Sequence, residues 1–115
     1  MTSPQECQLI VLQPQGCLDL EGGKTLEKQL ARLMPQRQEL WVVDLAKVDF
    51  MDSAGLVALV TALKMARESG CRMVLCNVQA PVRLIFELTQ LDSVFEIFDS
   101  YNAILTTVNA PALAV

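Results

Sequence analysis

The chain has 115 residues, 52% hydrophobic and 19% charged, with a formal net charge of −4 and no histidine. That length and composition give one domain able to build its own core, and they exclude disorder. Nine Lys and Arg residues scattered among thirteen Asp and Glu argue against nucleic acid as a ligand, and a basic protein partner suits the balance better.

Gln8 to Gln13 is a β-favouring run closed by Pro14-Gln15-Gly16, and Cys17 to Leu20 reads as a second short strand. Together they predict an N-terminal hairpin. Glu21-Gly22-Gly23 then breaks the chain, and Leu26, Leu30 and Leu33 give one apolar face of a helix starting near Lys24 and stopped by Pro35. The tetrad Gly22-Gly23-Lys24-Thr25 ends like a phosphate-binding loop. The full pattern needs a further glycine where this chain has Leu18, and Asp19 and Glu21 would repel a triphosphate, so the glycines read as a plain loop.

Leu40 to Leu45 is an apolar run broken only by Asp44, the mark of a strand covered on both faces. The junction Val48 to Leu56 follows, and then a helix from about Ala54 to Ser69. Its main stripe is Leu56, Leu59, Val60 and Leu63; Ala54, Ala58, Ala62 and Ala66 form a second stripe of small residues suited to close packing. Gly70 closes that helix. Cys71 to Cys76 is the next strand, Asn77 to Ala80 a loop, and Pro81 suits a first helical turn continued by Leu84, Leu88 and Leu91. Val94 to Phe98 alternates as a last, edge strand. Asp99-Ser100 caps a final helix bearing Tyr101, Ile104, Leu105 and Val108, which Asn109-Ala110-Pro111 stops.

The fold expected is α/β: a single small domain over 1–115, with a mostly parallel mixed sheet, an N-terminal β-hairpin and about four helices. Residues 1–7 and 110–115 are expected to be loosely ordered. The first residues lack an export signal and the longest weakly polar run, Ala54 to Leu63, is too short to cross a bilayer, so a soluble, cytoplasmic chain without membrane insertion is expected. Cys7, Cys17, Cys71 and Cys76 show no Cys-x-x-Cys spacing, and without histidine they read as free thiols rather than a zinc site. No cofactor is expected.

In open parallel sheets, sites gather beyond the carboxyl ends of strands, here Asp19 to Lys24, Val48 to Gly55 and Asn77 to Ala80. In the second of these, Asp49, Asp52, Ser53 and Gly55 meet at a helix start, where a side-chain oxygen must cap the first amides. One reading makes Asp52 or Ser53 that cap; the other, compatible with it, has Ser53 displayed at the helix start for a partner such as a kinase. The missing histidine removes the commonest general base, so no enzyme is expected.

The run Phe50-Met51-Asp52-Ser53-Ala54-Gly55-Leu56 resembles the Asp-Ser-Ser/Thr-Gly-Leu signature of STAS domains, the sulphate transporter and anti-sigma factor antagonist family. Gly16-Cys17-Leu18-Asp19 is similar to the family's Gly-x-Leu-Asp turn, Leu40 to Leu45 to its central strand, and Val82 to Phe98 to its third helix and last strand. The resemblance implies a stand-alone bacterial anti-sigma factor antagonist. Ser53 takes the phosphorylated position; a serine-kinase anti-sigma factor is both modifier and partner, and a phosphatase reverses the mark. The implied partner-facing surface comprises Asp19, Asp49, Met51, Asp52, Ala54, Gly55, Leu56 and Val57. Ala54 stands where the family commonly has a second Ser or Thr. The alternative is a non-catalytic STAS scaffold or regulatory subunit of a membrane transporter complex, with Ser53 as a cap and no switch.

Overall fold

The computed structural model describes residues 9–33 and 40–113. Expectations resting on Cys7, Gln8, Pro35 and the ends 1–7 and 114–115 lie outside the described residues. The elements in order are β1 (Leu9–Leu12), β2 (Gly16–Leu18), α1 (Leu20–Leu33), β3 (Leu40–Asp44), β4 (Val48–Met51), α2 (Ser53–Glu68), β5 (Arg72–Cys76), α3 (Ala80–Leu88), a 3₁₀ turn (Leu91–Ser93), β6 (Glu96–Phe98) and α4 (Tyr101–Leu113). This is the small α/β domain with four helices that the sequence implied.

Four strands form a parallel sheet in the order β1-β3-β5-β6, and β2 pairs with β4 in a separate two-stranded parallel ladder. The expected N-terminal hairpin is therefore absent. β1 lies along β3, from Leu9 against Leu40 to Leu12 against Val43, while β2 sets Leu18 against Met51. The connection explains the outcome. Gln13-Pro14-Gln15 lacks the Asn-Gly or Asp-Gly pair of a tight hairpin. At its end Gly16 takes φ +78°, and its amide donates to the Lys47 carbonyl at 2.8 Å, tying β2 to the start of β4.

Burial on both faces forms β3: Trp41, Val43 and Leu45 point into one apolar cluster, Leu40 and Val42 into another. The larger cluster lies under α1, α2 and α3, with Leu26, Leu30, Leu59, Leu63, Val82 and Phe86 buried. The smaller is closed by α4 through Ile104. On α3 the leucines that mark the helix in the sequence are not its buried side, and Leu91 falls in the 3₁₀ turn beyond it. Leu84 and Leu88 are 52% and 74% exposed, whereas Val82 and Phe86 are buried and the Phe86 ring tilts against Phe95 at 5.5 Å. β6 is an edge strand as expected, but begins at Glu96 rather than Val94. α4 is capped by Ser100, whose Oγ accepts from the Ala103 amide at 3.1 Å. It continues through Asn109-Ala110-Pro111 to Leu113 instead of stopping there, and so residues 110–113 are helical. A proline near the end of a helix forfeits an amide donor without ending it.

Candidate functional site

Two strand-to-helix junctions stand side by side and are built alike. After β2, the Asp19 carboxylate accepts from the Gly22 amide at 3.0 Å and its carbonyl from Gly23 at 2.7 Å. After β4, the Asp52 carboxylate accepts from the Gly55 amide at 3.0 Å and its carbonyl from Leu56 at 3.0 Å. Each aspartate is thus an N-cap holding the third helical amide. Because β2 and β4 are paired, the two helix starts are neighbours, and the Asp52 amide reaches back to the Leu18 carbonyl at 3.3 Å.

Glycine lets these parts close up. A Cβ at Gly55 would lie 1.9 Å from the Leu18 carbonyl oxygen, and one at Gly23 would lie 2.7 Å from the Ala58 methyl. Of the small-residue stripe of α2, Ala58 and the backbone of Ala54 are therefore taken up by the contact with α1. Gly22 and Gly23 are not loop residues: they sit in the first turn of α1, which starts at Leu20, four residues before the sequence suggested. At its far end α2 closes as expected on Gly70, φ +76°, with Gly70 donating to Arg67 and Cys71 to Ala66. That pair of bonds is the Schellman arrangement.

Ser53 occupies the first helical position of α2 and is exposed. The cap that sequence reasoning left open between Asp52 and Ser53 is Asp52, so the serine hydroxyl is not committed to capping. Around it, Asp49 and Val57 are exposed, and Asp19, Asp52 and Ala54 are half-buried. Met51 and Leu56, expected to face a partner, point into the core at 1% and 8% exposure. Gly55 is buried against β2, so its small size serves the helix–strand contact rather than an approaching protein. Sequence reading missed β4 altogether and took Val48 to Met51 as loop. The outward Phe50, 52% exposed, broke the alternation that would have marked a strand.

The site is acidic. The thiol of exposed Cys17, which stands opposite Phe50 in the β2–β4 ladder, is pushed up by local desolvation, then by the charges of Asp19, Asp52 and Asp49. Three carboxylates thus surround the end of that ladder. Apolar surface adjoins them, with Leu20 58% and Val57 62% exposed. Between the helices runs an open groove of about 330 Å³, walled by Leu20, Lys24 and Glu27 from α1 and by Ser53, Ala54 and Val57 from α2, with Gly23 and Ala58 at its floor. Lys24 is its cation. Asn77 to Ala80, the third loop singled out, serves a different purpose. Asp44 accepts there from the Asn77 amide group at 3.1 Å, and from Gln13 and the Ala46 amide at 3.1 and 3.0 Å. It fastens the ends of β1, β3 and β5 together.

The STAS domain family model matches residues 2–104. BtrV of Bordetella bronchiseptica, assigned as an anti-sigma factor antagonist, is 30% identical over 89 residues, 77% of each chain. The anti-sigma F factor antagonist of Paenibacillus polymyxa is 27% identical over 99 residues, 85% of each. Among solved structures, the anti-sigma factor antagonist SpoIIAA in its unphosphorylated form superposes with a TM-score of 0.73 at 18% identity, covering 89% of this chain and 90% of that one. With paired strand-to-helix junctions around Ser53 and a family match along nearly its whole length, this chain belongs to the STAS domain family.

Proposed function

We propose that the chain is an anti-sigma factor antagonist that works as a partner switch. Unmodified, it binds a serine-kinase anti-sigma factor through the face around the start of α2. Phosphorylation of Ser53 by that kinase releases it, and a phosphatase restores it. In the transfer, a bond forms from Ser53 Oγ to the γ-phosphorus of ATP, the bridging bond to ADP breaks, and the hydroxyl proton passes to a base of the kinase. The chain itself supplies no catalysis and acts in the cytoplasm.

The observation that carries this reading is the exposed hydroxyl of Ser53 one residue past a cap that Asp52 already provides. A permanent scaffold using Ser53 as its cap loses that ground. The names of the Bordetella and Paenibacillus relatives supply the class of partner. Physics supplies the switch. A phosphoserine adds a charge of about −1.5 to −2. Here that charge would directly follow the Asp52 cap, in a groove shared with Glu27 and the exposed Leu20 and Val57. Desolvating a dianion next to carboxylates in an interface opposes association. The helix dipole and the free amides of the first turn favour the phosphate within the free domain, so release does not require unfolding.

The test is mass spectrometry of the Ser53 peptide from the native host, together with capture of the kinase by variants. Phosphate on Ser53, binding by Ser53→Ala and loss of binding by Ser53→Asp are expected. An unmodified Ser53 while the kinase is active, or equal capture by both variants, refutes the switch.

A further inference from the structure

The geometry points to Lys24 as the counter-ion that receives a phosphoryl group on Ser53 across the groove between α1 and α2. This rests on the reading of Ser53 as the modified residue and concerns what the mark does inside the molecule.

Three observations converge. Lys24 and Ser53 wall the same groove, one from each helix. The helices are held unusually close there, since a Cβ on Gly23 would lie 2.7 Å from the Ala58 methyl and 3.7 Å from the Ala54 carbonyl oxygen. Residue 24 follows the one and residue 53 precedes the other, so a flexible four-carbon side chain has little distance to cover. Lys24 is also exposed and has no ion-pair partner among the described residues, where the salt bridge is Arg72–Glu96. Its ammonium is available.

The surroundings set the direction of the effect. Asp52 precedes the phosphate, Asp19 caps the neighbouring helix, Asp49 comes from β4, and Glu27 lies one turn along the groove from Lys24. All four disfavour the dianion. Lys24 and the amides of the first turn of α2 favour it. When the phosphoryl group draws Lys24 across, the pair fills the groove between Leu20 and Val57. A partner then loses the groove as well as meeting the charge.

The experiment installs phosphoserine at position 53 during translation, with no kinase involved, and follows the second phosphate ionisation by phosphorus NMR. With Lys24→Gln the midpoint should rise by about half a pH unit or more, because the dianion loses its counter-charge. Lys24→Arg should keep the parental midpoint. Lys64→Gln should leave it unchanged, since residue 64 lies about 16 Å further along α2. The shift should shrink in molar salt. Coincident midpoints for the parent, Lys24→Gln and Lys64→Gln would overturn the role of Lys24. That result would leave the switch itself standing, since only an unmodified Ser53 in the native host or equal partner binding by Ser53→Ala and Ser53→Asp sinks it.

Discussion

Alanine at each helical glycine separates helix propensity from close approach. In a solvent-facing helix interior, Gly→Ala stabilises by about 1 kcal/mol. Gly55 lies inside α2, so propensity alone makes Gly55→Ala stabilising. Geometry says otherwise: the new methyl carbon would lie 1.9 Å from the Leu18 carbonyl oxygen and 2.6 Å from its carbonyl carbon. Those are backbone atoms of β2, locked to β4 and to the Asp52 amide. No side chain can swing aside, so either the start of α2 or the β2–β4 ladder must move. Overpacking a well-fitted site costs about 1–3 kcal/mol, and displacement of paired backbone sits at or beyond the top of that range. Net of propensity, Gly55→Ala should cost roughly 2–3 kcal/mol, a large share of a stability of about 5–15 kcal/mol. Gly23→Ala meets a methyl on the facing helix at 2.7 Å and should cost about 1 kcal/mol net. Adding Ala58→Gly should recover about 1 kcal/mol relative to the additive sum, because the two sites touch. Gly22→Ala, whose nearest contact is 3.0 Å from the Cys17 carbonyl oxygen, should cost less than either. Urea unfolding followed by circular dichroism ranks the series. Gly55→Ala as stable as the parent, or Gly23→Ala and Ala58→Gly strictly additive, would refute the reasoning.

The twin caps should each be worth about 1 kcal/mol: Asp52→Ala and Asp19→Ala destabilise alike in urea, and Asp52→Asn retains most of the stability. Iodoacetamide mapped by peptide mass should label Cys17 in the folded protein and spare Cys76. Burial, and then Asp44, push the Cys76 thiol up to about 11. Glu96 is held below the usual carboxylate range by the hydrogen bond from Arg72. A depressed folded value gives stability that is full above the ordinary Glu range and lost as pH falls through the lowered value. This pair is nearly half exposed, so solvent screening keeps the contribution below about 1 kcal/mol. Arg72→Gln should flatten the acid limb of the stability curve by that small amount, and an unchanged acid limb would remove the pair from the account.

What the sequence showed plainly were segments whose local signals and tertiary setting agree. Leu40 to Val43 is apolar throughout and is buried on both faces. Gly70 follows a long amphipathic run and closes α2 with positive φ, and Pro81 sits in the first turn of α3, where its missing amide costs nothing. The failures have distance in common. Gly22 and Gly23 looked like a chain break because glycine weakens isolated helices, yet α1 needs Gly23 to lie against Ala58, which is 35 residues further on. Leu84 and Leu88 formed as good a stripe as Val82, Ile85 and Phe86. Only the ring of Phe95 and the core beneath α3 decided between them. β1 and β2 were adjacent in sequence and so read as a hairpin, but each found a better partner in a later strand. For the candidate site, the helix start at Asp52 and Ser53 was legible, whereas Asp49 lies within β4. The groove, Lys24 and the inward turn of Met51 and Leu56 were not legible, because they depend on how α1 lies on α2.

The most direct measurement is the dissociation constant of the cognate anti-sigma kinase, titrated calorimetrically against the chain with Ser53 free and with Ser53 fully phosphorylated. The account predicts binding weakened by more than a hundredfold, about 3 kcal/mol, with both forms equally folded. Matching affinities for the two forms would contradict it.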